Sequence, residues 1–131
     1  MLLANDNSAT LVYRTSSQRS GILTYNEMNG NSTSGMDIST GTFVAEHGGP
    51  YIFTVTGLSQ YSSRRAFQIF HNGNRVAYAY DTTGDGNSGY TMMSQTVILD
   101  LLPLDKVWVS LGHNGMHSDS SKYIHFVGHS L

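Results

Sequence analysis

The chain has 131 residues, contains no cysteine and carries a formal net charge of -2, which fits one domain and excludes disulfides, cysteine-ligated metal centres and thiol catalysis. Charged residues make up only 12% of the sequence, against about 25% in an average protein. No basic field of the kind that holds a phosphate backbone is present, so the composition predicts neither nucleic-acid binding nor attachment to acidic membranes.

Residues 1–8 are expected to form a flexible N-terminal segment. Their only apolar run, from Met1 to Ala4, is followed at once by Asn5 and Asp6. Such a run is too short for the core of a signal peptide and far too short to span a bilayer. We therefore expect no visible signal peptide, no membrane insertion and one globular domain over residues 9–131.

Several later windows place an apolar side chain at every second position, which is the period of a strand with one buried face. In chain order, the residues expected to face the core are Tyr51, Phe53 and Val55, then Phe67 and Ile69, then Val97, Leu99 and Leu101, then Val107, Val109 and Leu111. Turn sequences separate these windows, and Asn72-Gly73 is the strongest hairpin signal because both residues tolerate positive φ. No window of twelve residues carries a helical stripe, so an all-β sandwich or barrel is predicted.

The spacing of aromatic and small residues from Tyr25 onward resembles the signature of the complement C1q globular-head family, whose jelly-roll domains are related to tumour necrosis factor. The eight signature positions fall on Tyr25, Asn31, Met36, Phe43, Gly49, Tyr51, Phe53 and Val55. Five of the eight match the family, and Tyr25, Met36 and Val55 depart from it while keeping an apolar body. Later stretches up to Phe126-x-Gly128 also look like the family's strands, so the resemblance covers about residues 9–131.

This resemblance implies a ten-stranded jelly-roll β-sandwich that assembles as a homotrimer and is secreted into the extracellular space. The shortage of charge also favours assembly, because charged side chains normally protect edge strands from pairing. The sequence contains no nucleophile elbow, Walker loop or His-Glu-x-x-His motif, so we expect the protein not to be an enzyme.

Antiparallel alternation, counted back from a last strand near 123–131, places the 57–65, 82–90 and 112–122 loops at one end of the domain, which we call the apical end. Binding residues often lie in loops that a rigid scaffold holds. The side chains of these loops suit hydroxyl-rich ligands, because aromatic faces pack on sugar C–H groups and amides or carboxylates pair with hydroxyls. The candidate ligand-binding residues are Tyr61, Arg64, Arg65, Asp85, Asn87, Tyr90, His113, Asn114, His117 and Asp119.

Metal binding is considered from two patterns. His113 and His117 are four residues apart, as are His125 and His129, but this spacing joins zinc ligands on a helix, and no helix is expected here. Asp119 resembles one acidic residue of the family's calcium loop, whereas the second acid is replaced near Tyr123. Calcium at Asp119 is therefore left open, and no cofactor is expected to be required.

Two functions follow from the resemblance. The first is a soluble, lectin-like trimer that binds glycans or glycoproteins in innate-immune pattern recognition, as many stand-alone members of the family do. Here Arg64 is expected to pair with an acidic sugar or a protein carboxylate. The alternative is a secreted ligand that binds a receptor or immune protein through the flank or apex of the trimer. The absence of a collagen repeat and of cysteine from this sequence favours the first.

Overall fold

The computed structural model describes residues 9–33, 35–60, 65–81 and 90–131, with only the backbone described for 30–33 and 60. The described residues form eleven strands and no helix. The strands are β1 (Ala9–Arg14), β2 (Gly21–Ile22), β3 (Glu27–Thr33), β4 (Met36–Asp37), β5 (Thr42–Val44), β6 (Gly49–Gln60), β7 (Arg65–His71), β8 (Asn74–Asp81), β9 (Tyr90–Leu101), β10 (Lys106–His113) and β11 (Ile124–Ser130). The all-β prediction is confirmed, with eleven strands in place of the ten expected; two of them, β2 and β4, have only two residues each.

Two antiparallel sheets make up the described fold. One has the order β3-β1-β11-β6-β9 and the other β4-β5-β10-β7-β8, with β2 also pairing with β10. Strands that follow one another in sequence mostly lie in opposite sheets: the chain crosses between β6 and β7, between β8 and β9, and again on either side of β10. This crossing pattern is the jelly roll that the resemblance implies.

The core lies between the two sheets and follows the predicted alternation. Tyr51, Phe53 and Val55 are completely buried on β6, and Phe53 packs against Phe43 and Phe126 with ring centroids 5.2 and 5.6 Å apart. The hydroxyl of Tyr51 donates a hydrogen bond of 2.9 Å to the carbonyl oxygen of His47, so its polar end is satisfied. Tyr25, Met36 and Val55, the signature positions that depart from the family but keep an apolar body, are all buried.

The turn between β7 and β8 is the predicted hairpin. Asn72 and Gly73 have φ of 50° and 89°, the positive values that a two-residue hairpin turn requires. The Asn72 amide and the imidazole of His71 both hydrogen-bond to the Asp105 carboxylate at 2.9 Å. Together with the backbone N–H of Leu102, these contacts lower the pKa of Asp105 to about 2, so this end of the domain is closed by a hydrogen-bonded cluster.

The strand ends that border the three predicted loops meet at the opposite, apical end. Arg65 pairs with both Asp81 and His113, and Gln60 pairs with Tyr90. The loop boundaries differ from the prediction, because residues 57–60 continue β6 along β9 and His113 is the last residue of β10. The interiors 61–64 and 82–89, with candidate residues Tyr61, Arg64, Asp85 and Asn87, lie outside the described residues.

Candidate functional site

A cavity of about 230 Å³ opens at the apical end. Its lining residues come from three parts of the chain that the fold brings together: β6, the start of β9, and the segment between β10 and β11. They are Leu58, Tyr90, His117, Asp119 and Tyr123. Three of the ten sequence-predicted residues, Tyr90, His117 and Asp119, therefore share one cavity.

His117 lies in the middle of a row of three rings. Its centroid is 5.5 Å from that of Tyr90 and 6.2 Å from that of Tyr123. Its backbone N–H donates a 2.8 Å hydrogen bond to the carbonyl oxygen of Leu58, which ties the 114–123 segment to β6. The cavity wall is thus aromatic and is positioned by a backbone contact rather than by side chains alone.

The imidazole of His117 is oriented by Ser17. The Ser17 hydroxyl lies 3.1 Å from Nδ1 of His117 and accepts a 3.1 Å hydrogen bond from the backbone N–H of Ser118. The same hydroxyl also lies 3.5 Å from the carbonyl oxygen of Ser118, so Ser17 connects the imidazole to the backbone of the 114–123 segment. Nε2 lies 3.9 Å from Oδ2 of Asp119, so the ring and the carboxylate are neighbours in the cavity.

Asp119 is the charged member of the described cavity lining. Its side chain is 52% exposed, and Oδ1 accepts a 2.8 Å hydrogen bond from the backbone N–H of Ser121. The cation nearest in sequence, Lys122, is paired elsewhere: its Nζ lies 3.0 Å from Oε1 of Glu27 and 5.1 Å from the ring centroid of Tyr13. Lys122 is therefore not the counter-ion of Asp119.

Close packing under the 114–123 segment holds these residues in place. Met116 is completely buried and exchanges backbone hydrogen bonds of 3.0 and 2.9 Å with Gln18. A Cβ at Gly57 would overlap the sulfur of Met116, and one at Gly115, which has φ of 73°, would overlap the carbonyl oxygen of Gln18. Gly115 is required by its close approach to backbone atoms and by its positive φ, whereas a Cβ at Gly57 would displace the buried side chain of Met116.

Three other predicted residues are described but do not line this cavity. The guanidinium of Arg65 donates a hydrogen bond to the carbonyl oxygen of Asn114, and burial, with a smaller contribution from the charge of Arg19, lowers its pKa. His113 stacks on Tyr80 with centroids 5.0 Å apart. Arg65, His113 and Asn114 thus form a separate group beside β8.

Tyr123 and Leu58 line the cavity but were not among the predicted site residues. Tyr123 directly precedes β11. It could have been predicted as a site residue because it is aromatic and lies where a predicted loop meets the last strand. Leu58 falls in a predicted loop as an ordinary apolar residue, and only its pairing with His117 brings it to the site.

The histidines and carboxylates considered as metal ligands do not form a metal-binding cluster in the described residues. Within the described part of the chain, no group of three or more His, Asp or Glu side chains is placed to hold a metal ion. His113 stacks on Tyr80 while His117 lies in the cavity, so these two histidines do not share a site. Calcium at Asp119 stays a prediction. No helix that could cross a membrane occurs in the described ranges.

A second concave surface runs along the open edge of the sandwich, between β8 of one sheet and β9 of the other. It encloses about 460 Å³, and residues 78–81 and 91–95 line it. Large side chains on it remain exposed, among them Tyr78, Tyr80 and Met92. An open strand edge that carries large exposed side chains is a surface on which another chain can pack.

A family model of the C1q domain matches residues 8–131. The chain belongs to the C1q domain family. Its relatives include mouse complement C1q tumor necrosis factor-related protein 3, 30% identical over 94% of this chain and 49% of that protein. Mouse complement C1q tumor necrosis factor-related protein 6 is 36% identical over 72% of this chain and 37% of the relative. The chain thus spans about half, or less, of the length of these relatives.

Two solved structures share the fold of this C1q domain. The globular domain of zebrafish complement 1qA superposes with a TM-score of 0.76 at 22% identity, covering 96% of this chain and 98% of that one. Murine APRIL gives 0.74 at 12% identity, with 96% and 100% covered. The predicted resemblance and jelly-roll fold are confirmed, and family membership also confirms the prediction that the protein is not an enzyme.

Proposed function

We propose that this C1q domain is a secreted, trimeric recognition protein that binds carbohydrate through its apical cavity, as a lectin-like module of innate-immune pattern recognition. The observation that carries the proposal is the set of described side chains around the cavity, which includes two phenol rings, an imidazole and one carboxylate. Ring faces pack against sugar C–H groups, the Asp119 carboxylate accepts hydrogen bonds from hydroxyls, and an imidazole such as that of His117 pairs with hydroxyls as donor or acceptor. The cavity is small, which suits one sugar unit.

Trimer formation is supported by the edge groove between β8 and β9. Tyr80 and Met92 are 46% and 52% exposed there, and a second copy covering this edge would remove them from water. Homotrimers are typical of the family. Three apical cavities on one rigid body would raise the avidity for a glycan surface by a factor of about 10² to 10⁴.

A glycan array tests the proposal directly. Wild-type protein is compared with Tyr123→Leu, Asp119→Ala and Arg64→Ala, and with Asp100→Ala as control, because Asp100 is an exposed carboxylate near the opposite end of β9. Reduced signals for the Tyr123 and Asp119 variants at unchanged thermal midpoint and assembly are the expected result. Arg64→Ala separately tests the acidic-glycan prediction. An array on which the wild-type protein binds nothing would refute the lectin proposal.

A second function, a ligand for a receptor or immune protein, has one observation in its favour. Phe70 and Trp108 stack on the outer face of the β10–β7 pair, with centroids 5.9 Å apart and planes within 7°. Aromatic side chains are enriched in protein interfaces. If Trp108→Ser abolishes binding to immune-cell surfaces while the apical variants do not, this alternative replaces the lectin proposal.

A further inference from the structure

The apical cavity is electrostatically one-sided. Among the described residues that line it, Asp119 is the charged one, and the ammonium group of nearby Lys122 is paired with Glu27 at 3.0 Å. A carboxylate whose neighbouring cation is already paired attracts a positive group and repels an acidic one. The described walls therefore favour a positively charged ligand, whereas Arg64 was expected to pair with a negatively charged one.

The aromatic walls favour an organic cation over an inorganic one. Tyr90, His117 and Tyr123 present a contiguous row of rings, and ring faces attract ammonium groups. Calcium requires six to eight oxygen ligands, whereas the described lining offers one carboxylate, two phenol hydroxyls and an aliphatic side chain. A weakly hydrated ammonium group needs fewer oxygens and uses the rings directly.

The same molecule already contains this combination of groups with its cation in place. Nζ of Lys122 lies 5.1 Å from the ring centroid of Tyr13 and 3.0 Å from the carboxylate of Glu27. Arg75 likewise lies 5.0 Å above the ring of Tyr78. The apical cavity is lined by the same kinds of group, phenol rings and a carboxylate, but no lysine or arginine is among the described residues that line it.

We propose that the apical cavity binds the ammonium group of a small organic ligand, with Asp119 as the counter-ion and Tyr90 and Tyr123 as the ring walls. The inference rests on the proposed use of this cavity for binding. A volume of about 230 Å³ lies below the range of drug-sized pockets, about 300–1,000 Å³, so the group is a headgroup or a single unit. A protonated amino sugar and the quaternary ammonium of a choline headgroup share this chemistry.

Paired probes that differ in charge test the proposal by calorimetry on the full chain. Choline is compared with 3,3-dimethylbutan-1-ol, its neutral counterpart of similar shape, and glucosamine with glucose. We expect the charged member of at least one pair to bind about tenfold more tightly than the neutral one, as for loss of one contact to a charged group. A preference seen only with choline identifies a lipid headgroup as the source, and one seen only with glucosamine identifies an amino sugar.

Two variants assign the effect to the cavity. Asp119→Asn removes the charge but keeps the oxygen that accepts the Ser121 N–H, so we expect it to fold and to lose about tenfold in ammonium affinity. Tyr123→Leu removes a ring wall and should lose about threefold to fivefold. Asp100→Asn removes an exposed carboxylate near the other end of β9 and should bind like wild type.

The outcomes separate this inference from the lectin proposal. Equal affinity for charged and neutral probes, no binding of either amine, or full ammonium affinity in both Asp119→Asn and Tyr123→Leu would overturn the inference, while sugar binding on the array would still stand. Ammonium binding that depends on Asp119, with an empty glycan array, would support the inference and refute the lectin. If Asp119→Asn does not fold, Tyr123→Leu decides.

Discussion

Gly57 and Met116 are packed so closely that a change at one should depend on the residue at the other. Met116 is completely buried, and a Cβ added at Gly57 would overlap its sulfur. Overfilling a packed site costs about 1–3 kcal/mol, so we expect Gly57→Ala to lower the free energy of unfolding by that amount. Because His117 directly follows Met116, the same change should also weaken ligand binding at the apical cavity.

A double-mutant cycle isolates this contact. Met116→Ala alone should cost about 2–5 kcal/mol, as for other buried methionines. In that background Gly57→Ala should be nearly neutral, since the added methyl group enters the space that the methionine leaves, and the coupling energy should be about 1–3 kcal/mol. Gly112→Ala is the matched control: its Cβ would lie 3.6 Å from that of Ala66, an ordinary contact, so about 0.5 kcal/mol or less is expected.

Urea unfolding of the four proteins of the cycle and of the control, at one protein concentration, measures these differences. Additive effects of the two substitutions, or a Gly57→Ala variant as stable as Gly112→Ala, would refute the argument from packing. Retained ligand affinity in a destabilised Gly57→Ala would instead show that the cavity does not depend on this contact.

Three further predictions concern the core, assembly and acid stability. Phe53→Ala should lower the free energy of unfolding by about 3–5 kcal/mol, because the ring is completely buried. Leu102→Ala, at a 70% exposed position, should lower it by about 0.5 kcal/mol or less. Equal losses would contradict the assignment of Phe53 to the core. Sedimentation should give a trimer, and Met92→Lys should shift it toward monomer by charging the exposed edge; an unchanged mass would remove this edge from the interface. The pKa of Asp105 is lowered from 3.8 to about 2, so the stability that its carboxylate contributes is present above pH 3.8 and is lost as the pH falls toward 2. The free energy of unfolding of Asp105→Asn should therefore fall less steeply with decreasing pH than that of the wild type. The same pH dependence in both proteins would contradict the assignment.

Most of the described sandwich could be predicted from local pattern. Tyr51, Phe53 and Val55 face inward because a strand alternates its faces with a period of two, and a partly buried sheet then leaves one choice of register. Asn72-Gly73 forms the hairpin because these residues adopt positive φ at little cost. Both inferences need only the residues themselves and their immediate neighbours.

The contents of the apical site were predictable only in part. Antiparallel alternation correctly brings the strand ends Arg65, Asp81 and His113 together, because direction reverses with each strand. It does not reveal which side chains point toward one another. Arg65 was predicted to bind a ligand, but its guanidinium donates a hydrogen bond to the backbone carbonyl oxygen of Asn114.

By itself, the sequence determined the all-β class, the faces of the long strands and the family, since each depends on spacing along the chain. Only the tertiary structure decided the cavity. It depends on a backbone hydrogen bond between Leu58 and His117, which are far apart in sequence. It also depends on the positive φ of His113 and Lys122, the residues on either side of segment 114–121. Neither residue type favours that conformation strongly enough to reveal it, so packing against the rest of the domain positions His117, Asp119 and Tyr123.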